Sequence, residues 1–298
     1  ELPSSINPDS GFIATANNRP VEQDYPYYIS MDYAPGYRAE RIIANLSTMT
    51  NASVVDMAKI HADHLSIPAK EYIAFLAHVN PLDDDSKIAK ELLTKWNYQM
   101  DKDQIEPTIY SAWRDQILIE FLTHNLGEAL TAEACNPADR GQGLFLGRIK
   151  GRIIDHMWSG DNTLLPPGQT WPTFVATALS SAIRKLEISL GTTTDLWKWS
   201  AIHKTKPKHT LSSVFPEIAE MLAPPSVPMS GDADTPLAGS YPPLHFADIG
   251  GLSVARYAFD LSNWDRSLWS VPLGSSGNPG SKHYHDQTDS WSQVTMTN

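Results

Sequence analysis

The middle of the chain carries an apolar pattern of helical period. Between about residues 51 and 201, apolar side chains recur every three or four positions, the spacing of one face of an α-helix. The clearest stripe follows Pro107, where Ile109, Trp113, Ile117 and Phe121 repeat every four residues. The pattern predicts one helix within residues 141–158 and others that begin near Ser53, Pro68, Ser86, Pro107 and Pro172.

Two segments near the ends of the chain have the pattern of β-strands. Residues 11–16, GFIATA, form a short β-type run that is followed by the turn residues Asn17 and Asn18. Residues 253–261 alternate, with Arg256 on one face and the apolar side chains of Tyr257, Phe259 and Leu261 on the other. The pattern therefore predicts an α+β protein with a mainly helical middle and strands near both ends.

Arg256 places a charged guanidinium group in an otherwise apolar predicted strand. An unpaired buried charge costs several kcal/mol, so this side chain needs an acceptor or water. One interpretation is structural, with Asp260 as the partner, although two intervening pleats make direct contact difficult. The other is functional: Arg256 lies at the edge of a cleft and orients a carboxylate or carbonyl with its planar set of donors.

The strand is followed by a turn-rich loop and a group of polar side chains. Gly274, Gly277 and Gly280 allow a backbone that approaches other groups closely, and His283 and His285 arrive soon after. The H-x-H spacing with nearby carboxylates is one way to begin a metal site. A hydrogen-bonded structural cluster of His283, Tyr284, Asp286 and Gln287 is the alternative.

Composition excludes several classes of partner. The formal net charge is −11, with 34 acidic and 23 basic residues, which disfavours nucleic acid and anionic membranes as partners. No apolar run approaches the roughly 20 residues that span a bilayer. Cys135 is the only cysteine, so no disulfide forms within the chain. The sequence contains no GxGxxG, HExxH, CxxC or GxSxG motif.

Several segments taken in order resemble the penicillin amidase family of N-terminal nucleophile hydrolases, in the later part of its large β-subunit. They are GFIATANNRP at residues 11–20, YRAERI at 37–42, ELLTKWNYQMDKD at 91–103, the tryptophan and histidine run at 190–209, GDADT at 231–235 and the block at 252–291. The resemblance implies part of an αββα sandwich. It also implies an enzyme matured by autocatalytic cleavage, which hydrolyses an acyl amide with a new N-terminal Ser.

The resemblance assigns two residues of this chain to the neighbourhood of the oxyanion hole. Arg256 matches the family's arginine that supports the oxyanion asparagine and the substrate. Leu237 stands at the position of that asparagine, and a leucine side chain has no hydrogen-bond donor. Either the alignment shifts here, another group donates, or this branch of the family is altered.

The resemblance also sets expectations about cofactors, partners and location. Catalysis requires no cofactor, and a structural calcium is expected in part of the family, with Asp248 in the right neighbourhood. We expect the chain, which starts at Glu1 and lacks the nucleophile, to be an inactive fragment of a precursor. Its partners would be the remaining precursor and a small acyl-amide substrate, in the periplasm or outside the cell.

The predicted organisation has three parts. Residues 1–50 form a strand and an aromatic loop that join the sandwich, residues 51–223 are mainly helical, and residues 224–298 form a Pro- and Gly-rich connection, strands and the terminal loop cluster. A second hypothesis is a non-catalytic binding module or an inactive relative. In that case an aromatic surface would stack against a sugar or peptide, with the candidates Trp197, Trp199, Trp264 and Trp269.

Overall fold

The computed structural model describes residues 2–136, 140–242 and 249–297, and the backbone alone for 140–145. The helices are α1 Tyr37–Ser47, α2 Val54–His61, α3 Ile67–Phe75, α4 Asp84–Lys95, α5 Glu106–Leu126, α6 Glu128–Ala134, α7 Arg140–Ser159, α8 Trp171–Leu190, α9 Trp199–Ile202, α10 Ala219–Leu222 and α11 Thr288–Ser292. The strands are β1 Gly239–Ser240, β2 Gly251–Leu252, β3 Arg256–Ala258 and β4 Leu268–Ser270.

Local sequence signals explain where the main helices begin and end. Ser53 and Asp83 cap α2 and α4 through reciprocal side-chain and backbone hydrogen bonds. Pro107 lies in the first turn of α5, where its missing N–H has no intrahelical partner to lose. Gly191 ends α8 with φ of +85°, a conformation that strains residues with a side chain. The helix predictions for this region are confirmed, with Asp83 rather than Ser86 as the cap of α4.

The core is a helical bundle around α5. This helix packs on α4, α7 and α8, and side chains on all of its faces are buried from Pro107 to Leu118. Trp113 is fully buried, and its indole N–H donates to the carbonyl of Val175 in α8 at 3.0 Å. A buried charge without a partner is costly, so a helix that is buried on every face needs a partner for each charge that it carries. In α5 these charges include Arg114 and Asp115.

The strands form two small antiparallel sheets. β1 pairs with β2, and β3 pairs with β4 in a register that places Arg256 opposite Ser270. The combination of a helical core with antiparallel strands confirms an α+β chain. The larger sandwich and the division at residues 50 and 223 remain predictions. Among the described residues, no helix is both long and apolar enough to cross a bilayer.

The strand predictions need two corrections. Residues 11–16 are not a strand, because they join no ladder with another described segment, and a strand without a partner is unstable. Residues 253–261 contain a strand only at Arg256–Ala258. Its alternation is as predicted, but Arg256 and Ala258 face inward while Tyr257 and Phe259 remain half exposed. The face that carries the charge is therefore the buried one.

Candidate functional site

Arg256 opens strand β3 and points into the protein. Its side chain is 1% exposed, which is unusual for a guanidinium. The register with β4 fixes the direction of the side chain, since residues on a strand alternate between its two faces. Arg256 therefore lies below the surface of the sheet and not at the open edge of a cleft.

Trp291 of α11 holds the guanidinium in place. The carbon Cζ of Arg256 lies 4.3 Å from the centroid of the Trp291 ring, and Nη1 donates to the Trp291 carbonyl oxygen. Trp291 is itself fully buried, and its indole N–H donates to the carbonyl of Ser253 at 3.1 Å. The terminal helix and the start of β3 are thereby linked through one aromatic side chain.

Arg256 has no carboxylate partner among the described residues. The predicted partner Asp260 lies beyond the end of β3 and forms an ion pair with Arg266 at 2.9 Å instead. The Nη2 atom of Arg256 is buried and has no acceptor within the described segments. Burial lowers the pKa of Arg256 to about 10, which still leaves the side chain charged at neutral pH.

Leu237 lies against the same tryptophan. It is 5% exposed and packs in an apolar cluster with Met229, Trp291 and Val294. Its backbone N–H donates to the carbonyl of Asp63 at 2.8 Å, so Leu237 has no donor left over. The structure thus brings the two residues singled out from the sequence, Arg256 and Leu237, to one shared neighbour, the side chain of Trp291.

The GDADT segment forms a tight loop that sets the position of Leu237. The Thr235 hydroxyl accepts from the N–H of Asp232 and donates to the Leu237 carbonyl, both at 2.9 Å. Gly231 adopts φ of +86°, and a Cβ there would overlap the Leu237 carbonyl oxygen. Geometry therefore requires the glycine of this segment.

A buried group of charges involves the aspartates of this loop. Arg114 of α5 pairs with Asp234 at 2.6 Å, and its neighbour Asp115 pairs with Lys150 of α7. Burial, together with the charge of Asp234, raises the pKa of Asp232 to about 6. Our sequence analysis missed Arg114 and Asp115. The available signal was two adjacent charges in a helix whose other residues are apolar on several faces.

Comparison with known proteins identifies the family. The penicillin amidase family model matches residues 1–298. The chain belongs to the penicillin amidase family. It is 34% identical to penicillin acylase 2 proenzyme of Pseudomonas sp. strain SE83 over 304 residues, which cover 99% of this chain and 37% of that protein. It is 23% identical to acyl-homoserine lactone acylase QuiP of Pseudomonas aeruginosa over 322 residues, 97% of this chain and 37% of that relative.

The match is partial with respect to the relatives. The chain spans 37% of the length of each of these two acylases. The name proenzyme indicates that the penicillin acylase is made as a precursor. Family membership is therefore established for this chain.

Three histidines of this penicillin amidase family member make contacts within the fold. His203 is fully buried and stacks on Trp199 with ring centroids 4.3 Å apart. In the ring of His209, Nε2 lies 3.1 Å from the Gly277 carbonyl and Nδ1 accepts from the N–H of Leu211. His283 Nδ1 lies 2.7 Å from an oxygen of Asp286, which favours the structural interpretation of that cluster.

The described residues contain no set of three or more His, Cys, Asp and Glu side chains that converge in the manner of a metal site. The cluster near His283 is completed by Tyr284, which donates to the Leu222 carbonyl at 2.5 Å, and by Gln287, which accepts from Val271. Asp248, the residue considered for calcium, lies outside the described residues. No step of the chemistry below depends on a metal.

Proposed function

We propose that this chain is the later part of an acylase that hydrolyses a linear acyl amide, with a Ser nucleophile at the N-terminus of a segment outside the chain. Two relatives with the names penicillin acylase and acyl-homoserine lactone acylase support an amide-cleaving enzyme. The remaining precursor is the expected partner, and β1 to β4 would join the sheets of an αββα sandwich. We also expect a periplasmic or extracellular location.

In the proposed reaction, the α-amino group of the N-terminal Ser takes the proton from its own hydroxyl, which attacks the amide carbonyl. An α-amino group suits this role because its unperturbed pKa, close to 8, lies near working pH. Donors of the enzyme then stabilise the negative oxygen, and water releases the acyl group. No cofactor is required.

The observation that carries the proposal is the unpaired charge of Arg256. A guanidinium that is 1% exposed and lacks a carboxylate among the described residues is expensive to retain for stability alone. In a dry site, a fixed positive charge stabilises nearby negative charge far better than it does in water. Arg256 would therefore act as a positioning residue, through electrostatic support of the oxyanion site beside the loop that carries Leu237.

The test uses the protein produced from the complete gene. Intact mass and N-terminal sequencing will show whether a new N-terminal Ser is exposed, and a chromogenic acyl amide will report turnover. We expect Arg256→Gln to lower kcat on the order of 100-fold and Arg256→Lys to retain more activity than Arg256→Gln, since Lys keeps the charge. Arg266→Gln is the matched control, because Arg266 is exposed and pairs with Asp260.

Three outcomes would reject parts of the proposal. An uncleaved protein without turnover would exclude the acylase. Full activity in Arg256→Gln would make Arg256 a structural residue only. Equal loss of activity in the Lys and Gln variants, together with equal loss of stability, would also argue that the charge has no role in the reaction.

A second candidate, a non-catalytic binding module, has one supporting observation. Trp197 and Trp199 are 1% and 0% exposed, so they offer no binding surface. On the hairpin β3–β4, however, Trp264 and Trp269 are 63% and 43% exposed. They join Tyr257 and Phe259 in one aromatic surface, in which the rings of Tyr257 and Trp269 stack at 5.4 Å.

Exposed apolar surfaces of this kind mark interaction sites. Under the acylase proposal the remaining precursor covers the hairpin, so Trp264 fluorescence should be shielded from acrylamide in the complete protein and quenched in the isolated chain. The isolated chain should also self-associate, and Trp264→Ser should reduce this. Equal quenching in both proteins, combined with binding to oligosaccharides or peptides and no turnover, would favour the binding module.

A further inference from the structure

Residues of α1, α5, α7 and the GDADT loop line a charged cavity, and Leu237 is not among its lining residues. Its volume is about 410 Å³. The charged side chains that line it are those of Arg38, Arg114, Arg148, Lys150, Asp232 and Asp234. None of these residues takes part in the chemistry proposed above. A cavity with four basic and two acidic side chains is unusual in a chain with a net charge of −11.

Existing ion pairs neutralise only part of this positive charge. Arg114 pairs with Asp234 and Lys150 with Asp115, both in the interior. Arg148 contacts Asp32 at 2.8 Å, but the Asp32 side chain is 64% exposed, so solvent weakens that pair. Arg38 donates to the neutral side chain of Asn17 at 2.9 Å and forms no ion pair with a described residue.

The side chains that line the cavity retain hydrogen-bond donors that a ligand can use. Arg114 is 4% exposed, and its Nε has no acceptor among the residues that the structure describes. Arg38 and Arg148 lie closer to solvent. Partial burial lowers the pKa of Arg38; Asp234 opposes this shift and the nearby charge of Arg148 adds to it. Two guanidinium groups near one opening with a third behind them form an arrangement that a planar anion satisfies with paired hydrogen bonds.

We propose that this cavity binds a small molecule through a carboxylate group, held by Arg38 and Arg148 with Arg114 behind them. A carboxylate fits better than a phosphate because Asp232 and Asp234 also line the cavity, and a phosphate brings a charge of about −1.5 to −2 next to them. The carboxylate can belong to the acyl-amide substrate or to a free metabolite. Binding itself does not depend on the proposed acylase activity.

The first test measures binding of benzoate, butyrate and inorganic phosphate to the complete protein by isothermal titration calorimetry. We expect one of the two carboxylates to bind with a dissociation constant on the order of 1 mM or below. Arg148→Gln and Arg38→Gln should each weaken binding about tenfold, the value of one charge-assisted hydrogen bond. Arg152→Gln is the matched control, since Arg152 lies on α7 near Arg148, is 81% exposed and does not line this cavity.

Three results would overturn the proposal. They are no binding of either carboxylate, equal weakening in Arg152→Gln, and tighter binding of phosphate than of both carboxylates. Arg38 and Arg148 are partly exposed, so their variants should fold, and circular dichroism will check this. The test does not require turnover, and its failure is therefore distinct from failure of the acylase proposal.

The second test identifies the source of the carboxylate and does rest on the acylase proposal. Acyl amides are compared in pairs, one with a carboxylate on the leaving amine and one with that carboxylate capped as an amide. If the substrate is the source, the wild-type protein will have a lower KM for the carboxylate member, and Arg148→Gln will remove the difference. If a free metabolite is the source, the two KM values will agree in both proteins while benzoate binding still depends on Arg148.

Discussion

The guanidinium of Arg256 lies 4.3 Å from the centre of the Trp291 ring and donates to the carbonyl oxygen of the same residue. These residues are 35 positions apart in the sequence. Trp291 also packs against Leu237 in a small apolar cluster. One tryptophan therefore contacts the buried charge and shares an apolar cluster with Leu237, next to the GDADT loop.

Replacement of Trp291 should loosen this arrangement. Trp291→Phe removes the hydrogen bond to Ser253 and part of the ring under Arg256, and we expect a loss of about 2 kcal/mol in the free energy of unfolding. Trp158→Phe is the control. Because Trp158 is 49% exposed, this variant should lose far less of the free energy of unfolding. Urea unfolding of both variants checks the difference, and equal losses would mean that Trp291 has no special structural role.

Leu237 should not tolerate the amide of asparagine. Leu237→Asn places a polar group among Met229, Trp291 and Val294, at a cost of about 1 to 3 kcal/mol if the amide finds no partner there. Leu211→Asn is the control. Because Leu211 is 46% exposed, we expect almost no change in the free energy of unfolding. A stable Leu237→Asn protein would show instead that the site already contains a partner for an asparagine side chain.

Gly231 is required by both its conformation and its surroundings. In Gly231→Ala the new Cβ would overlap the carbonyl of Leu237, so we expect a loss above about 3 kcal/mol and a distorted loop. Gly168→Ala separates the two effects, since Gly168 has φ of +80° but nothing within 4 Å. That control should lose only about 1 to 2 kcal/mol from backbone strain. Thermal unfolding of the two variants provides the comparison.

Asp232 should make stability depend on pH. Burial raises its pKa from 3.8 to about 6, so the folded protein keeps a proton that the unfolded chain releases. Stability attributable to Asp232 is therefore full below about pH 4 and is lost as the pH rises through about 6, by an amount on the order of 3 kcal/mol. In Asp232→Asn this loss should disappear, because asparagine does not titrate.

The measurement is the difference in unfolding free energy between wild type and Asp232→Asn at about pH 4 and about pH 7. Asp161→Asn is a control of opposite sign: hydrogen bonds from Thr163 lower the pKa of Asp161, so the stability that it contributes is lost on acidification. A difference between wild type and Asp232→Asn that does not change with pH would contradict the prediction.

Helix positions were predictable because their signals are local. Proline in the first turn, a capping side chain and a four-residue apolar repeat act within a few neighbouring residues, and α5 and α8 formed where these signals occur. Residues 11–16 show the limit of such reasoning. A strand needs a partner with matching hydrogen bonds, and the residues themselves do not reveal whether that partner is present.

The candidate site shows the same difference between local sequence signals and contacts between distant segments. Arg256 stands out in the sequence because a lone charge in an alternating apolar run is rare, whereas Leu237 was singled out only through the resemblance to the penicillin amidase family. Trp291 as the partner of Arg256, and Arg114 as a wall of the charged cavity, depend on contacts between distant segments. A residue pattern carries no information on which distant carbonyl or ring a side chain will meet.

By itself, the sequence determined the α+β character, the approximate starts of the main helices in the middle of the chain, the acidic charge and the resemblance to the penicillin amidase family, because each depends on composition or on neighbouring residues. Only the tertiary structure decided that the face of β3 with Arg256 is buried while its aromatic face is exposed. Only the tertiary structure placed Arg256 on Trp291 and grouped four basic side chains around one cavity. Alternation defines two faces of a strand, but the elements that pack on the strand choose which face is inside.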